Sequence, residues 1–491
     1  MRYSLKILVT YLLFVFGVVT PAFADDFSEI LNRAREIETV QITVTGQRFE
    51  PQQTISPGAP SRHASNYSLV THWSPSQEKA KEAWQLNTVY PFPNAFTFEA
   101  EYNSTGGTRT GRDGFRPNTD GPVSPARLGA VLKDLWLTNP ILLIAHKKDY
   151  ASNFPRKGGT AGAFTFDAHG TQWTIYVDPV TQLPTWLETI EKDHLEGSLI
   201  NRVAFSDWRM VEGVPFPFRL EQTINGQLIR REVREAITLN GALATTTETT
   251  NQLDEVELEQ KALGWSMSHF FLRRALLGAP SDGDEAAKVQ INDLGGGIYQ
   301  VVGSSHHTVI IEGRKGLAIV DAVWYPSRSE AILDAIKAKW RKKPIKYVIL
   351  THHHIDHVGG LGPFAALGAT IVTGAENFDY FHDILVKTQQ TPPSMQVVPG
   401  RISLSGLGRS IEMFDIPNSH ANDMIGIYVP DVKTAINTDL YSPGRPGQQP
   451  VWAREFADAI KFHGLDVEQH VGGHGSGTEP HENLVKLVSG K

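Results

Sequence analysis

Four histidines and an aspartate crowd the segment Thr351-His352-His353-His354-Ile355-Asp356-His357. Imidazole nitrogen and carboxylate oxygen are the donors that a catalytic zinc ion takes. The segment follows the apolar run Ile345-Lys346-Tyr347-Val348-Ile349-Leu350, which is β-rich and reads as a buried strand. His352 and His354 are two residues apart, so in extended chain they point the same way and can grip one ion. Asp356 and His357 fall at the turn where the strand gives way to a helix, within reach of a second ion. Four more candidates follow the same placement. Asp321 ends the strand Leu317–Val320, and His420 closes Ile416-Pro417-Asn418-Ser419-His420. Asp439 ends Thr434–Asp439, and His474 sits in Gly472-Gly473-His474-Gly475, where glycines let the backbone come close. Each comes after a strand or in a glycine loop, where side chains can converge on one rim of a layered domain.

This ordered set resembles the metallo-β-lactamase superfamily over roughly residues 289 to 491. The resemblance implies that His352, His354 and His420 hold a first metal ion. It implies that Asp356, His357 and His474 hold a second, with Asp439 bridging the pair and Asp321 supporting the ligand loop from behind. His353 and Ile355 occupy the variable positions. Two such ions share a hydroxide, deliver it to a carbonyl and polarise that carbonyl's oxygen, while Asp356 orients the hydroxide and passes its proton to the leaving group. Zinc is the expected metal, with iron and manganese as alternatives that Asp and His donors also accept. An aspartate at position 439 is the pattern of glyoxalase II, acyl-homoserine lactonases and related phosphodiesterases. The antibiotic-hydrolysing branch uses Cys or a non-bridging residue there. Ester, lactone or related acyl-bond hydrolysis is therefore expected, with β-lactam hydrolysis as the alternative within the family.

Tyr441 lies two residues past Asp439, where its hydroxyl could serve as an oxyanion donor or simply fill a core. His306 and His307 precede a strand near the mouth of such a site and are read as structural or pocket-lining, not ligands. His269, His463, His470 and His481 fit no ligand position and are expected at the surface.

The elements that must carry these residues are short strands at Val289–Leu294, Ile298–Val302, Thr308–Glu312 and Leu317–Val320, then a helix over Ser327–Trp340. The first half reads differently. An amphipathic helix at Phe27–Ala34 precedes an alternating strand at Val40–Arg48. More strands are expected at Phe96–Tyr102, Ala163–Phe166, Gln172–Val177, Arg202–Trp208, Phe218–Thr223 and Leu228–Ile237. Ser124 and Pro125 open a helix that runs to Leu137. Asp178-Pro179-Val180-Thr181-Gln182-Leu183-Pro184 and the stretch Phe205–Pro217 resemble the lipoprotein-carrier fold, a half-open antiparallel barrel closed by helices. That resemblance implies an apolar cavity, though Trp173, Trp186 and Trp208 would equally fill a core. The expected class is α+β: a half-barrel-like β-domain over 25–277, a linker over 278–288 preceded by a helix at Glu255–Leu277, and an αββα sandwich over 289–491. A carrier with a vestigial metal domain is the non-enzymatic alternative.

At 491 residues the chain exceeds one ordinary core. With 41% hydrophobic and 20% charged residues it is a folding composition, and the net charge of −7 without a long basic run argues against nucleic acid as a partner. Arg2, Lys6, the apolar run Ile7–Val19 and Ala22-Phe23-Ala24 form a secretory signal, cleaved after Ala24, that leaves no stable membrane span. The chain has no cysteine, which removes thiolate ligands and suits a periplasmic or secreted protein large enough to fold without disulfides. A small acyl compound is the expected substrate. Its identity and the oligomeric state have no readable code.

Overall fold

The computed structural model describes residues 27–113, 120–123, 125–146, 162–168, 171–242, 288–388, 394–445 and 449–490. The signal peptide, the helix expected at Glu255–Leu277 and nearly all of the linker over 278–288 lie outside the described residues, as does the N-cap expected at Ser124.

The first half builds one twelve-stranded antiparallel sheet. Its central pair is Val40–Glu50 and Gln227–Leu239, with Val40 opposite Leu239, so the two ends of the domain meet in the middle of the sheet. The edges are the short strand Gly121–Pro122 and the strand Gly162–Ala168. Helices Phe27–Arg35, Pro125–Leu137 and Pro140–His146 pack their apolar sides into a core shared with strands from both ends of the sheet, including Phe98, Trp73, Ile175 and Phe216. In the strand expected from alternation, burial alternates over Val40–Val44, whereas Arg62–Ser74, Lys79–Thr88, Gly106–Arg112 and Pro184–Asp193 are strands beyond those expected. Trp173 is fully buried in that core and Trp208 packs against it, so these tryptophans fill space. Antiparallel sheet and helices are thus present; the strand order does not establish closure into a half-barrel. Charged groups tie the second helix to the sheet: Arg230 donates to both oxygens of Asp134, and Lys133 to Glu191 at 2.7 Å.

The second half is a four-layer sandwich. A seven-stranded mixed sheet (Gln290–Asp293 through Met395–Val398) faces a six-stranded sheet (Arg401–Leu404 through Thr478–Pro480). Aliphatic side chains from both meet between them, among them Val309, Val320 and Ile349 from one and Ile427, Ile436 and Val471 from the other. Helices Pro326–Lys339, Leu361–Ala365 and Phe378–Thr388 cover the outer face of the first sheet. Helices Pro450–Phe462 and His481–Ser489 cover the second. This is the αββα arrangement expected. Strand registers place the site: Gly316–Val320 runs parallel to Ile345–Ile349, with Val320 opposite Ile349, and Thr434–Asn437 runs parallel to Gln469–Gly472, with Asn437 opposite Gly472. Parallel neighbours end at the same edge, so Asp321 emerges beside His352, and Asp439 beside His474. Among the described residues no single helix is long and apolar enough to cross a membrane.

Candidate metal centre

Seven side chains from five loops meet at that edge in two groups that could each hold a cation: His352, His354, His420 and Asp439, and His306, His357 and His474. Asp439 joins the two. Its Oδ2 lies 3.0 Å from His352 Nε2, 3.1 Å from His357 Nε2 and 3.0 Å from His420 Nε2, and its Oδ1 lies 2.6 Å from His474 Nε2. One carboxylate cannot accept well-directed hydrogen bonds from four imidazoles in this way. The Nε2 atoms of His352, His357 and His420, and Nδ1 of His354, are buried and form no hydrogen bond. Buried donors and acceptors are nearly always paired, so a convergent set of orphaned nitrogens around a carboxylate has the donor chemistry and spacing of a coordination sphere.

The opposite face of each ring is engaged. His357 Nδ1 donates to Asp321 Oδ2 at 2.9 Å, and His474 Nδ1 to the Ser305 carbonyl at 2.9 Å. His352 Nδ1 lies 3.1 Å from Thr351 Oγ1, which itself donates to Asp321 Oδ2 at 2.9 Å. His354 Nε2 is 2.8 Å from the Thr54 carbonyl, and His420 Nδ1 is 3.3 Å from the Tyr90 hydroxyl. A second ring N–H that donates to a protein acceptor fixes tautomer and orientation, the usual arrangement behind a metal-binding imidazole. Asp321 does this from a left-handed backbone conformation, φ +59°, which Asp tolerates better than most residues. The glycine loop behaves as expected: a Cβ on Gly473 would come within 2.7 Å of Thr438 Cγ2, and one on Gly475, at φ +76°, within 2.0 Å of the Pro443 carbonyl.

Electrostatics follow the geometry. Burial acts to raise the Asp439 carboxyl, but His357, His420 and His474 hold it well below the ordinary range. Asp356 is likewise depressed against its burial, by His306 and His357. Burial drives His352 and His354 down, keeping them neutral, while His357, between Asp439 and Asp321, is raised despite burial.

Asp356 stands outside both groups. Its Oδ2 is 3.1 Å from His306 Nε2, and its Oδ1 accepts from Gln53 Nε2 at 2.6 Å. His306, read from the sequence as structural or pocket-lining, instead takes a place in the second group. Only its position just before the strand Thr308–Gly313 hinted at this. His307 lies outside both groups, with burial pushing it down to about 4. His353 is also outside, pushed down to about 3 by burial. Tyr441 does not face the centre. It is 2% exposed in the core under the outer helices, its ring packs 5.3 Å from that of His470, and its hydroxyl hydrogen-bonds Glu479. The oxyanion role expected for it is withdrawn, because the chain after the strand Thr434–Asn437 lays that side chain into the core beneath the outer helices. The surface placement expected for His470 is also corrected: it is fully buried in the strand Gln469–Gly472, its Nε2 2.9 Å from His481 Nδ1. His269 lies outside the described residues.

The sequence did not name the residues that the first domain brings to the centre. A short turn at Pro51–Gln53 brings Gln53 and Thr54 onto the centre, and Tyr90 comes with them. Trp452 adds a ring 4.6 Å from that of His420, edge to face.

Residues 301–477 match the family model of the metallo-beta-lactamase superfamily, and this part of the chain is a domain of that superfamily. The chain is 23% identical over 186 residues to 2,4-dinitroanisole O-demethylase subunit alpha of Nocardioides sp. (strain JS1661), covering 36% of this chain and 55% of that protein. It is 39% identical over 66 residues to the linear primary-alkylsulfatase of Pseudomonas sp., covering 13% of this chain and 10% of that protein. The chain thus spans about half the length of the first relative and a tenth of the second. Among solved structures, a metallo-beta-lactamase from Pontibacter korlensis superposes with a TM-score of 0.33 at 17% identity, covering 41% of this chain and 98% of that one.

Proposed function

We propose that this metallo-beta-lactamase superfamily domain is a dinuclear metal-dependent hydrolase that cleaves an ester, lactone or related acyl bond. The observation that carries the reading is Asp439, whose two oxygens lie within 3.1 Å of imidazole nitrogens from both groups. His352, His354 and His420 would hold one ion, and His357 and His474 the other, with Asp439 between them. His306 or Asp356 would complete the second set. Divalent ions there would lower the pKa of a water and polarise the substrate's oxygen. Zinc fits the donors best, and iron or manganese fit an oxygen-richer set. Asp356, kept ionised by His306 and His357, accepts the proton of the attacking water at its carboxylate and returns it to the leaving oxygen. Neutral His352 and His354 keep their lone pairs available for the ions. Tyr90 and Trp452 pack their rings against that of His420. Export to the periplasm or beyond, by the segment ending at Ala24, belongs to the same proposal.

A sulfate ester is the second reading. One observation favours it: the match to an alkylsulfatase. The carrier reading has less support, because the apolar face of the first sheet is packed against its own helices. Metal analysis of purified protein, followed by turnover of lactone, carboxylic ester, thioester, alkyl sulfate, aryl methyl ether, phosphodiester and β-lactam substrates, tests the proposal. Protein without metal, or metal-loaded protein inert to all of these, counts against it.

A further inference from the structure

The Pro51–Ser56 turn and Tyr90 belong to the first sheet, yet they touch three side chains of the metal centre across about 300 residues of sequence. We infer that Gln53, Thr54 and Tyr90 are positioning residues of that centre: the first domain supplies the hydrogen-bond frame that decides which atoms of His354, His420 and Asp356 face the ions. This rests on the dinuclear reading above.

The polarity of the contacts is what argues for a frame. At His354, Nε2–H donates to the Thr54 carbonyl at 2.8 Å, which leaves Nδ1, buried and without a hydrogen bond, directed into the first group. At His420, the nitrogen facing Asp439 is Nε2, so Nδ1 carries the proton and donates to the Tyr90 oxygen at 3.3 Å. Tyr90 then has its own proton to give, and Gln53 Oε1 receives it at 3.4 Å. With its oxygen so used, the Gln53 amide presents N–H groups on the other side, and Nε2 donates to Asp356 Oδ1 at 2.6 Å. Every donor meets an acceptor along the chain His420–Tyr90–Gln53–Asp356. In that order His420 has Nε2 free to face an ion, and Asp356 accepts at Oδ1. The chain links a residue of the first group to the acid beside the second.

The frame is fixed in place. Thr54, Gln53 and Tyr90 are 1%, 4% and 8% exposed. The backbone N–H of Asn422 donates to the Ile55 carbonyl at 2.6 Å, and Arg62 donates to the His420 carbonyl at 3.1 Å. The Arg62 guanidinium lies 4.4 Å over the Tyr90 ring, so one arginine holds both the tyrosine and the His420 loop. A register shift at Arg48/Phe49 marks a bulge just before the turn; pairing then continues to Glu50, opposite Arg62, and the chain leaves the sheet there.

The test is cobalt(II) titration of full-length apoprotein, read by the visible ligand-field spectrum and by competition with a chelator. The variants are Tyr90→Phe, Gln53→Leu and the near-isosteric Gln53→Glu, with circular dichroism as the check on folding. Wild type is expected to take up two equivalents. Tyr90→Phe should weaken the ion held with His420, and both Gln53 variants the ion near Asp356, each by about 10–100-fold with an altered spectrum. Gln53→Glu keeps the size of the side chain but sets a carboxyl against Asp356, so its effect is read beside that of Gln53→Leu, which removes the donor without adding an acid. Wild type with two cobalt ions, and Tyr90→Phe and Gln53→Glu matching it in affinity and spectrum, overturns this inference alone. Wild type that takes up none overturns the dinuclear reading and this inference with it.

Discussion

Asp321→Asn probes the centre without touching any atom that faces an ion. The carboxylate is fully buried and accepts from Thr351 N at 2.8 Å, Thr351 Oγ1 at 2.9 Å and His357 Nδ1 at 2.9 Å. An asparagine has nearly the same shape but only one acceptor atom. If its oxygen stays on the Thr351 amide, its NH2 confronts both Thr351 Oγ1–H and His357 Nδ1–H. The hydroxyl can turn to Thr438 Oγ1, 3.0 Å away, so its loss is small. His357 has no such alternative, and it loses a charge-assisted bond of about 1.5–3 kcal/mol. It must flip or tilt, which withdraws Nε2 from the position 3.1 Å from Asp439, or change tautomer, which puts the proton on Nε2 and takes its lone pair from the ion. The same energy expressed in affinity is a factor of roughly 10–100. It should fall on the second ion, because His357 belongs to the second group and the first keeps His352, His354 and His420. Inductively coupled plasma analysis after dialysis against graded chelator reads it: one ion should be lost at a lower chelator concentration than in wild type, the other at the same concentration. Asp321→Asn protein that keeps both ions at wild-type affinity would show that Asp321 does not orient His357, and the reasoning would fall.

Four further outcomes are expected. His306→Ala removes a donor from the second group and should weaken the second ion while sparing the first, measured by the same stoichiometry; equal loss of both would mean that His306 holds the loop and not an ion. Tyr441→Phe should leave kcat/KM within about twofold and cost about 1 kcal/mol of stability through its bond to Glu479, whereas an oxyanion donor would lose about 100-fold in kcat. Chelation should abolish hydrolysis and lower the melting temperature, since an ion at about 1,000 times its Kd contributes about 4 kcal/mol; zinc should restore both. Glu196→Gln tests pH dependence. Burial, with Asp193 adding to it, raises the Glu196 carboxyl from 4.5 to about 7. The native state therefore keeps a proton that the unfolded chain has already released, and stability falls as pH rises from about 4.5 to about 7, by at most ~3 kcal/mol. Glutamine removes that penalty, so the variant should melt higher than wild type at pH 8 and no higher at pH 4.5. A constant difference across that range would refute the assignment.

The residues that converge at the centre could be read in the sequence because metal chemistry demands side-chain types that are scarce and a spacing that strand ends impose. His352, His354, His357, His420, Asp439 and His474 need only be recognised as histidines and aspartates after strands. The sandwich strands were legible for a similar reason: Ile298–Val302 and Gly316–Val320 are almost wholly apolar, and a glycine precedes the first and opens the second. Strands Arg62–Ser74 and Lys79–Thr88 carried no comparable signal. Their alternation is of burial more than of polarity, since Ser65, Ser74, Glu82 and Thr88 occupy buried positions. The Thr54 contact was beyond any reading of residue types, because it uses a backbone carbonyl. Gln53 and Tyr90 act through one hydrogen bond or two, set by the docking of one domain on another. Tyr441 failed for the opposite reason: proximity in sequence to Asp439 does not say which way a side chain leaves the strand end.

The two domains meet at a second place that also borders the centre. Leu195, in the turn after strand Pro184–Asp193, is 3% exposed within the core that lies under helix Phe378–Thr388, and its neighbour Glu196 hydrogen-bonds Tyr380 on that helix. The ring of Tyr380 is 6.3 Å from that of His353, inside the histidine segment itself. The first domain therefore holds the loop of His420 on one side, through the Pro51–Ser56 turn, and the helix beside His353 on the other, through Leu195 and Glu196. An ion that binds the docked arrangement more tightly than a loosened one must, by linkage, strengthen the docking by the same factor. Metal uptake and domain docking are then one equilibrium observed from two ends. Substitutions in the first domain far from any ligand, Leu195→Ala among them, should lower metal affinity and melting temperature together.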